Sequence, residues 1–173
     1  MGGQTTAPQS MHVRLMTEAD WPQVAAIYEQ GIVSHKATFA QQAPEYAVWD
    51  ADHHPHTRLV AETEDGIITG WVAIAPSFAR AVYNGVAEIS IYIHDAFQHQ
   101  GVGTMLLEAA HAESERNGIW TLEALIFADN EPSLKLFRKC GYVDLGVRKR
   151  LGYDTVLETW RDVAMLERRS PNI

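Results

Sequence analysis

The sequence predicts a mixed α/β fold on three observations. Short runs with strand character alternate with segments of helical spacing, the turn signal Glu64-Asp65-Gly66 joins two of those runs as a hairpin, and strand-helix-strand-helix units follow it. The 173 residues suit one compact domain, with 46% aliphatic, aromatic and cysteine residues against 21% charged ones. No repeat or linker breaks the chain after residue 10, so residues 1–10 read as a flexible tail and 11–173 as a single domain.

His12 to Met16 is the expected first strand, and Thr17-Glu18-Ala19-Asp20 has the Ser/Thr-x-x-acid form of a helix start. Trp21, Val24, Ile27, Tyr28 and Ile32 then recur at helical spacing, with Pro22 tolerated in the first turn. Residues 34–57 lack a clear period; Tyr46 and Trp49 point to a short helix over 44–52. Leu59 to Glu62 and Ile67 to Ala75 form the hairpin, and Ala87 to Ile93 is a further strand. Met105 to Asn117 reads as a helix closed by Gly118, Thr121 to Phe127 as a strand, and Pro132 to Cys140 as a helix stopped by Gly141. Two strands finish the chain, around Val143 to Arg148 and Thr155 to Leu166.

A net charge of -8 repels nucleic-acid phosphates and anionic lipid heads, and the basic runs, Arg148-Lys149-Arg150 and Arg168-Arg169, are short. Nucleic acid and membrane are therefore not expected as partners. No apolar run approaches the ~20 residues of a membrane helix, and the N-terminus has no signal-peptide pattern. The lone Cys140 has no internal disulfide partner, which fits a reducing cytoplasm, and its place among Leu134, Leu136 and Phe137 favours a buried structural role over a nucleophile. His53-His54-Pro55-His56 invites a metal, but adjacency and Pro55 prevent the i, i+4 geometry of a zinc pair; no metal is expected.

The chemistry concentrates around Gln98-His99-Gln100-Gly101-Val102-Gly103-Thr104. A dinucleotide fold needs G-x-G-x-x-G, but Leu106 stands at the third glycine, and no G-x-x-x-x-G-K-[ST] is present. Two readings remain: plain turn chemistry, or an anion cradle in which Gly101 and Gly103 bring backbone N–H groups to a ligand at a helix N-terminus. On the strand before it, a period of two puts Glu88, Ser90 and Tyr92 on one face and Ile89, Ile91 and Ile93 on the other.

The motif Gln98 to Gly103 resembles the Q/R-x-x-G-x-G/A signature of the GNAT superfamily of acetyl-CoA-dependent N-acetyltransferases. Tyr83 to Ile93, Gly118 to Leu122, Ile126 to Leu134 and Trp160 to Val163 resemble its phosphinothricin and methionine sulfoximine acetyltransferase branch, as do Ile27-Tyr28, Ala37-Thr38-Phe39 and Trp49. The resemblance covers about residues 12–168. It implies a mixed, mostly antiparallel sheet splayed after its fourth strand and flanked by helices. Acetyl-CoA then lies with its pantetheine arm on the backbone of Ile91, Tyr92 and Ile93 and its pyrophosphate on the amides of His99, Gln100, Gly101, Val102, Gly103 and Thr104.

The resemblance makes Glu88 the general base that deprotonates the substrate amine, and a backbone N–H near Ile91 the donor to the thioester oxygen. It makes Asn130 and Lys139 acetyl-CoA contacts, although Asn130 is equally suited to capping the helix at Pro132 and Lys139 to solvation. Phe78, Ala79 and Arg80, with Glu88, Ile89 and Ser90 and residues around Thr38 and Phe39, are the expected substrate contacts, Arg80 as a partner for a carboxylate. One departure stands out: Phe137 occupies the position where family members carry a tyrosine or histidine that protonates the leaving thiolate. A thiol of pKa roughly 8.5 departs with little help, so activity is compatible with that loss. The implied function is transfer of acetyl to the α-amine of a small amino acid analogue by direct attack in a homodimeric enzyme; a peptide N-acetyltransferase and a non-catalytic acyl-CoA-binding module are the alternatives.

Overall fold

The computed structural model describes residues 9–173. Of the expected N-terminal tail, residues 1–8 lie outside the described residues. The strands are β1 (Met11–Leu15), β2 (Arg58–Thr63), β3 (Ile68–Pro76), β4 (Val86–Ile93), β5 (Thr121–Phe127), β6 (Val143–Asp154) and β7 (Thr159–Arg169), in sheet order β1-β2-β3-β4-β5-β7-β6. Helices α1 (Trp21–Val33), α2 (Tyr46–Asp52), α3 (Val102–Arg116) and α4 (Glu131–Lys139) connect them. Among the described residues only β4 and β5 pair in parallel; the other neighbours are antiparallel.

The middle strands are apolar on both faces because both faces are covered. Leu59, Val72, Ile74, Ala87 and Ile89 pack with Leu106, Leu107 and Ala110 of α3, while Val60, Trp71 and Ala73 pack with Val24, Ile27 and Trp49 of α1 and α2. The period of two along β2 and β3 thus splits one apolar run between two cores.

The start of α1 follows the expected signal. After the turn of helix at Glu18–Asp20, the Asp20 carboxylate accepts from the Thr17 backbone N–H at 2.8 Å and its hydroxyl at 3.3 Å. Three expected boundaries are corrected. Helix α3 begins at Val102, not Met105, because Gly101 is its N-cap and Gly103 is accommodated in its first turn. Strand β6 runs on to Asp154 rather than ending at Arg148, through register shifts that absorb Leu145 and Lys149 to Leu151. Strand β7 starts at Thr159 instead of Thr155, since the Asp154 carboxylate accepts from the N–H groups of Val156 and Leu157, both at 3.0 Å, and closes a turn there.

Candidate active site

The site originates in how β4 is paired. Its parallel ladder with β5 covers Val86, Ala87 and Glu88 only, opposite Thr121, Leu122 and Glu123, after which β5 continues on β7 alone. On its other side β4 stays bonded to β3 as far as Ile93, opposite Gly70. His94 N–H donates to Thr69 O at 2.9 Å and Ser77 N–H to Val86 O at 3.3 Å. Antiparallel alternation therefore turns the backbone polar groups of Glu88, Ser90 and Tyr92 to β3, and those of Ile91 and Ile93 into the gap. Gln98 Nε2 donates to one of them, Ile93 O, at 2.9 Å. Of the three expected backbone contacts, Ile91 and Ile93 face the gap, whereas the Tyr92 N–H and C=O face Trp71.

A cavity of about 840 Å³ fills this splay. Glu88, Ser90 and Tyr92 line it together with Ile89, Ile91 and Ile93, so both faces of β4 contribute at the point where the sheet opens. Glu88 is half-buried, and burial, followed by the neighbouring Glu123 carboxylate, raises its carboxyl above the ordinary range. The Tyr92 phenol is raised by burial and by Tyr28 beside it, the two rings meeting edge to face at 4.9 Å. A raised carboxyl beside backbone N–H and C=O groups that no strand pairs is equipped to take a proton and to bind an extended polar chain.

The glycine loop sits at the mouth. His99 lines the cavity, and His99 and Gly101 both have left-handed backbone, at φ 61° and 80°. A Cβ on Gly101 meets nothing within 4 Å, so the glycine is there for its backbone conformation alone. His99 and Gly101 thus place left-handed backbone on either side of Gln100 immediately before α3, whose N-terminus carries a partial positive charge. Gln100, Gly101, Val102, Gly103 and Thr104 thus stand at the helix start and outside the cavity lining.

The far wall comes from α4 and the segment after α1. Asn130 lines the cavity and its amide is engaged twice: Oδ1 accepts from Ser133 N–H at 3.3 Å, capping α4, and Nδ2 donates to Lys36 O at 3.0 Å. The capping role read from the sequence is present, and the second bond ties residues 34–39 across the mouth. Phe137 is 2% exposed, lines the cavity and packs edge to face on Tyr142 at 4.8 Å, as a wall residue. Phe39 packs edge to face on Phe127 at 4.8 Å, and a Cβ on Gly152 would stand 2.4 Å from its ring.

Phe78, Ala79 and Arg80 are exposed between β3 and β4 and do not line the cavity; Lys139 is exposed on α4 and also lies outside the lining. Residues the sequence reading passed over do line it, notably Gln30, Ser34, Lys36 and Leu151. Nothing in their local pattern marks them, because α1, the loop and β6 reach the site only through tertiary packing. Cys140 is half-buried with its thiol raised by burial, as expected of a packing residue. Among the described residues no cluster of three His, Cys, Asp or Glu side chains stands ready for a metal, and no helix is long and apolar enough to cross a membrane.

Residues 21–142 match the model of the acetyltransferase (GNAT) family. The chain is 38% identical over 141 residues to the Bacillus subtilis (strain 168) protein named "Putative phosphinothricin acetyltransferase YwnH", covering 79% of this chain and 86% of the relative. Among solved structures it superposes, at TM-score 0.83 and 33% identity, on one described as "Crystal structure of a putative phosphinothricin N-acetyltransferase", covering 92% of this chain and 98% of the other. A Sinorhizobium meliloti phosphinothricin acetyltransferase of the same superfamily, solved in complex with acetyl-CoA, aligns at TM-score 0.82 and 24% identity over 92% of this chain and 88% of its own.

Proposed function

Because this chain belongs to the GNAT acetyltransferase family and has its fold, we propose that residues 11–173 act as one N-acetyltransferase domain. It moves acetyl from acetyl-CoA to the α-amino group of a small amino acid analogue of the phosphinothricin, methionine sulfoximine or methionine sulfone type, by direct attack in a ternary complex. The observation that carries the reading is the splay: Glu88, with its raised carboxyl, and the strand-free backbone of Ile91 line one cavity.

The chain's own geometry fits the donor. The Ile91 and Ile93 edge offers polar backbone to an extended arm, and the turn from His99 to Thr104 offers N–H groups and a helix N-terminus to a pyrophosphate. When bound, acetyl-CoA supplies a thioester carbonyl open to attack by an amine. The Glu88 carboxylate takes the proton of the substrate ammonium, directly or through a water, and its raised pKa brings it closer to working pH. The Ile91 N–H donates to the carbonyl oxygen as negative charge builds there. Phe137 and Leu136 wall the site without moving a proton.

The proposal extends to a cytoplasmic homodimer. Strand β6 is the sheet edge and exposes Val143, Leu145 and Val147, with Trp160 and Tyr153 exposed beside them, an apolar edge that a second copy would cover.

The test is release of CoA by purified protein supplied with acetyl-CoA and phosphinothricin, methionine sulfoximine, methionine sulfone and ordinary amino acids. Turnover of at least one small acceptor, faster than of peptides, is expected. Silence across the panel removes the reading.

A further inference from the structure

The geometry points to Lys36 as a further binding residue for acetyl-CoA: its ammonium reaches across the mouth of the splay to the pyrophosphate, from the wall opposite the glycine loop. The inference rests on the acetyl-CoA reading above and adds the countercharge that the glycine loop lacks.

That lack is visible in the sequence. Residues 98–104 contain no Lys or Arg, and Gln98 stands where the family signature also admits arginine. The Gln98 amide is itself engaged by Ile93 O at 2.9 Å. The loop therefore offers an anion backbone dipoles and a helix N-terminus without the full charge of an arginine or lysine. The surroundings oppose an anion as well. The chain has a net charge of -8, and Glu88 and Asp95 both line the cavity.

Among the described residues Lys36 is the one Lys or Arg in that lining. Its ammonium takes part in no ion pair among the described residues. The cations of α4 stand elsewhere: Lys135, Arg138 and Lys139 are exposed and outside the lining, and Arg138 is paired with Asp144 at 3.0 Å.

The backbone that carries Lys36 is fixed on both sides. Its N–H donates to Ser34 Oγ at 3.2 Å, its carbonyl accepts from Asn130 Nδ2 at 3.0 Å, and the His35 carbonyl accepts from Arg161 at 3.0 Å. Just before it, Gln30 Oε1 accepts from the Asp95 N–H at 2.9 Å, which ties the end of α1 to the segment leading into the glycine loop. An extended lysine stem carries its nitrogen about 6 Å beyond the backbone. With the chain already held, meeting a phosphate restricts the side chain alone, and a lysine ammonium binds phosphate as a point charge. The same loop brings Thr38 and Phe39 to the cavity, so a donor that holds Lys36 also steadies the acceptor's wall.

Titrations of coenzyme A, 3′-dephospho-coenzyme A and pantetheine, with no acceptor present, test this on the unaltered protein and on Lys36→Met. The variant should bind coenzyme A about tenfold more weakly, lose the same factor for the 3′-dephospho form, and bind pantetheine, which has no phosphate, as before. Lys36→Arg keeps the charge and should stay within about threefold of the unaltered protein. Added salt should weaken coenzyme A less in Lys36→Met than in the unaltered protein. Unchanged affinity for coenzyme A in Lys36→Met overturns the proposal, as does an equal loss for pantetheine. A loss confined to coenzyme A and absent from the 3′-dephospho form assigns the ammonium to the 3′-phosphate and overturns it too. Silence across the acceptor panel would remove the acetyl-transfer reading while these affinities still decide the role of Lys36; turnover with coenzyme A affinity unmoved in Lys36→Met would sink this inference alone.

Discussion

Glu88 and Glu123 stand opposite each other on the last rung of the parallel β4–β5 ladder, immediately before the strands part. Burial of Glu88 and the charge of Glu123 both oppose ionisation of Glu88, so its carboxyl is raised. Glu123→Gln removes one opposing charge and should move the acid limb of the kcat/KM profile to lower pH. Glu88→Gln removes the base itself and should lower kcat by about 10²-fold or more while leaving acetyl-CoA affinity intact. An unmoved acid limb in the first variant, or full turnover in the second, contradicts these roles.

Gly101 tests the cradle. Its φ of 80° lies in the left-handed region and no atom crowds the Cβ position, so a substitution acts through backbone conformation only. Gly101→Val costs about 1–2 kcal/mol in that conformation. The loop relaxes by moving the N–H groups at the start of α3, and KM for acetyl-CoA should rise about tenfold with a smaller change in KM for the acceptor. Steady-state kinetics with each substrate varied in turn would show whether the loss falls on the donor.

His111 sets a pH window for stability. It is buried in α3, with Nε2 3.0 Å from the Tyr142 hydroxyl, and burial, then Arg168, lowers its pKa from 6.5 to about 4. The folded state therefore favours the neutral ring: this stabilisation is fully present above pH 6.5 and is lost as pH falls toward 4. The full difference is about 3 kcal/mol. Urea midpoints should fall between pH 7 and 4.5, and His111→Gln should flatten that slope even though His53, His54 and His56 are shifted the same way. An equal slope in the variant would assign the pH dependence elsewhere.

How far the sequence predicts this arrangement depends on where the signal resides. Thr121 to Phe127 is bounded as expected because alternation and flanking turn residues are local. The faces of β4 are legible for the same reason, as is the glycine loop. The splay is legible only through the family resemblance: it is a property of where β5 leaves β4, and no residue in either strand announces it by itself. Strand β6 passes its expected end at Arg148 because a register shift between Arg148 and Gly152 lets the strand bulge past Lys149 to Leu151 and pair again. The segment 34–45 has no period, yet Lys36 and Phe39 reach the site through bonds and ring contacts made to residues about ninety positions away.

Arg161 is the residue that holds that segment in place. Its guanidinium donates to His35 O and to Asp154 Oδ2, both at 3.0 Å, reaches Asp129 Oδ1 at 3.4 Å, and lies 3.8 Å over the Phe127 ring. It thereby joins the start of the loop over the cavity, the β6–β7 turn and the end of β5. Arg161→Met leaves the Asp154 carboxylate without its cation and the His35 carbonyl without its donor, and should lower stability. Arg161→Lys keeps the charge but loses the fork that serves several acceptors at once, and should fall between the two. Because Phe39 is set by this loop, KM for the acceptor should rise in both variants more than KM for acetyl-CoA. Denaturant midpoints and paired KM values check the assignment, and an unchanged midpoint in Arg161→Met with both KM values unchanged would refute it.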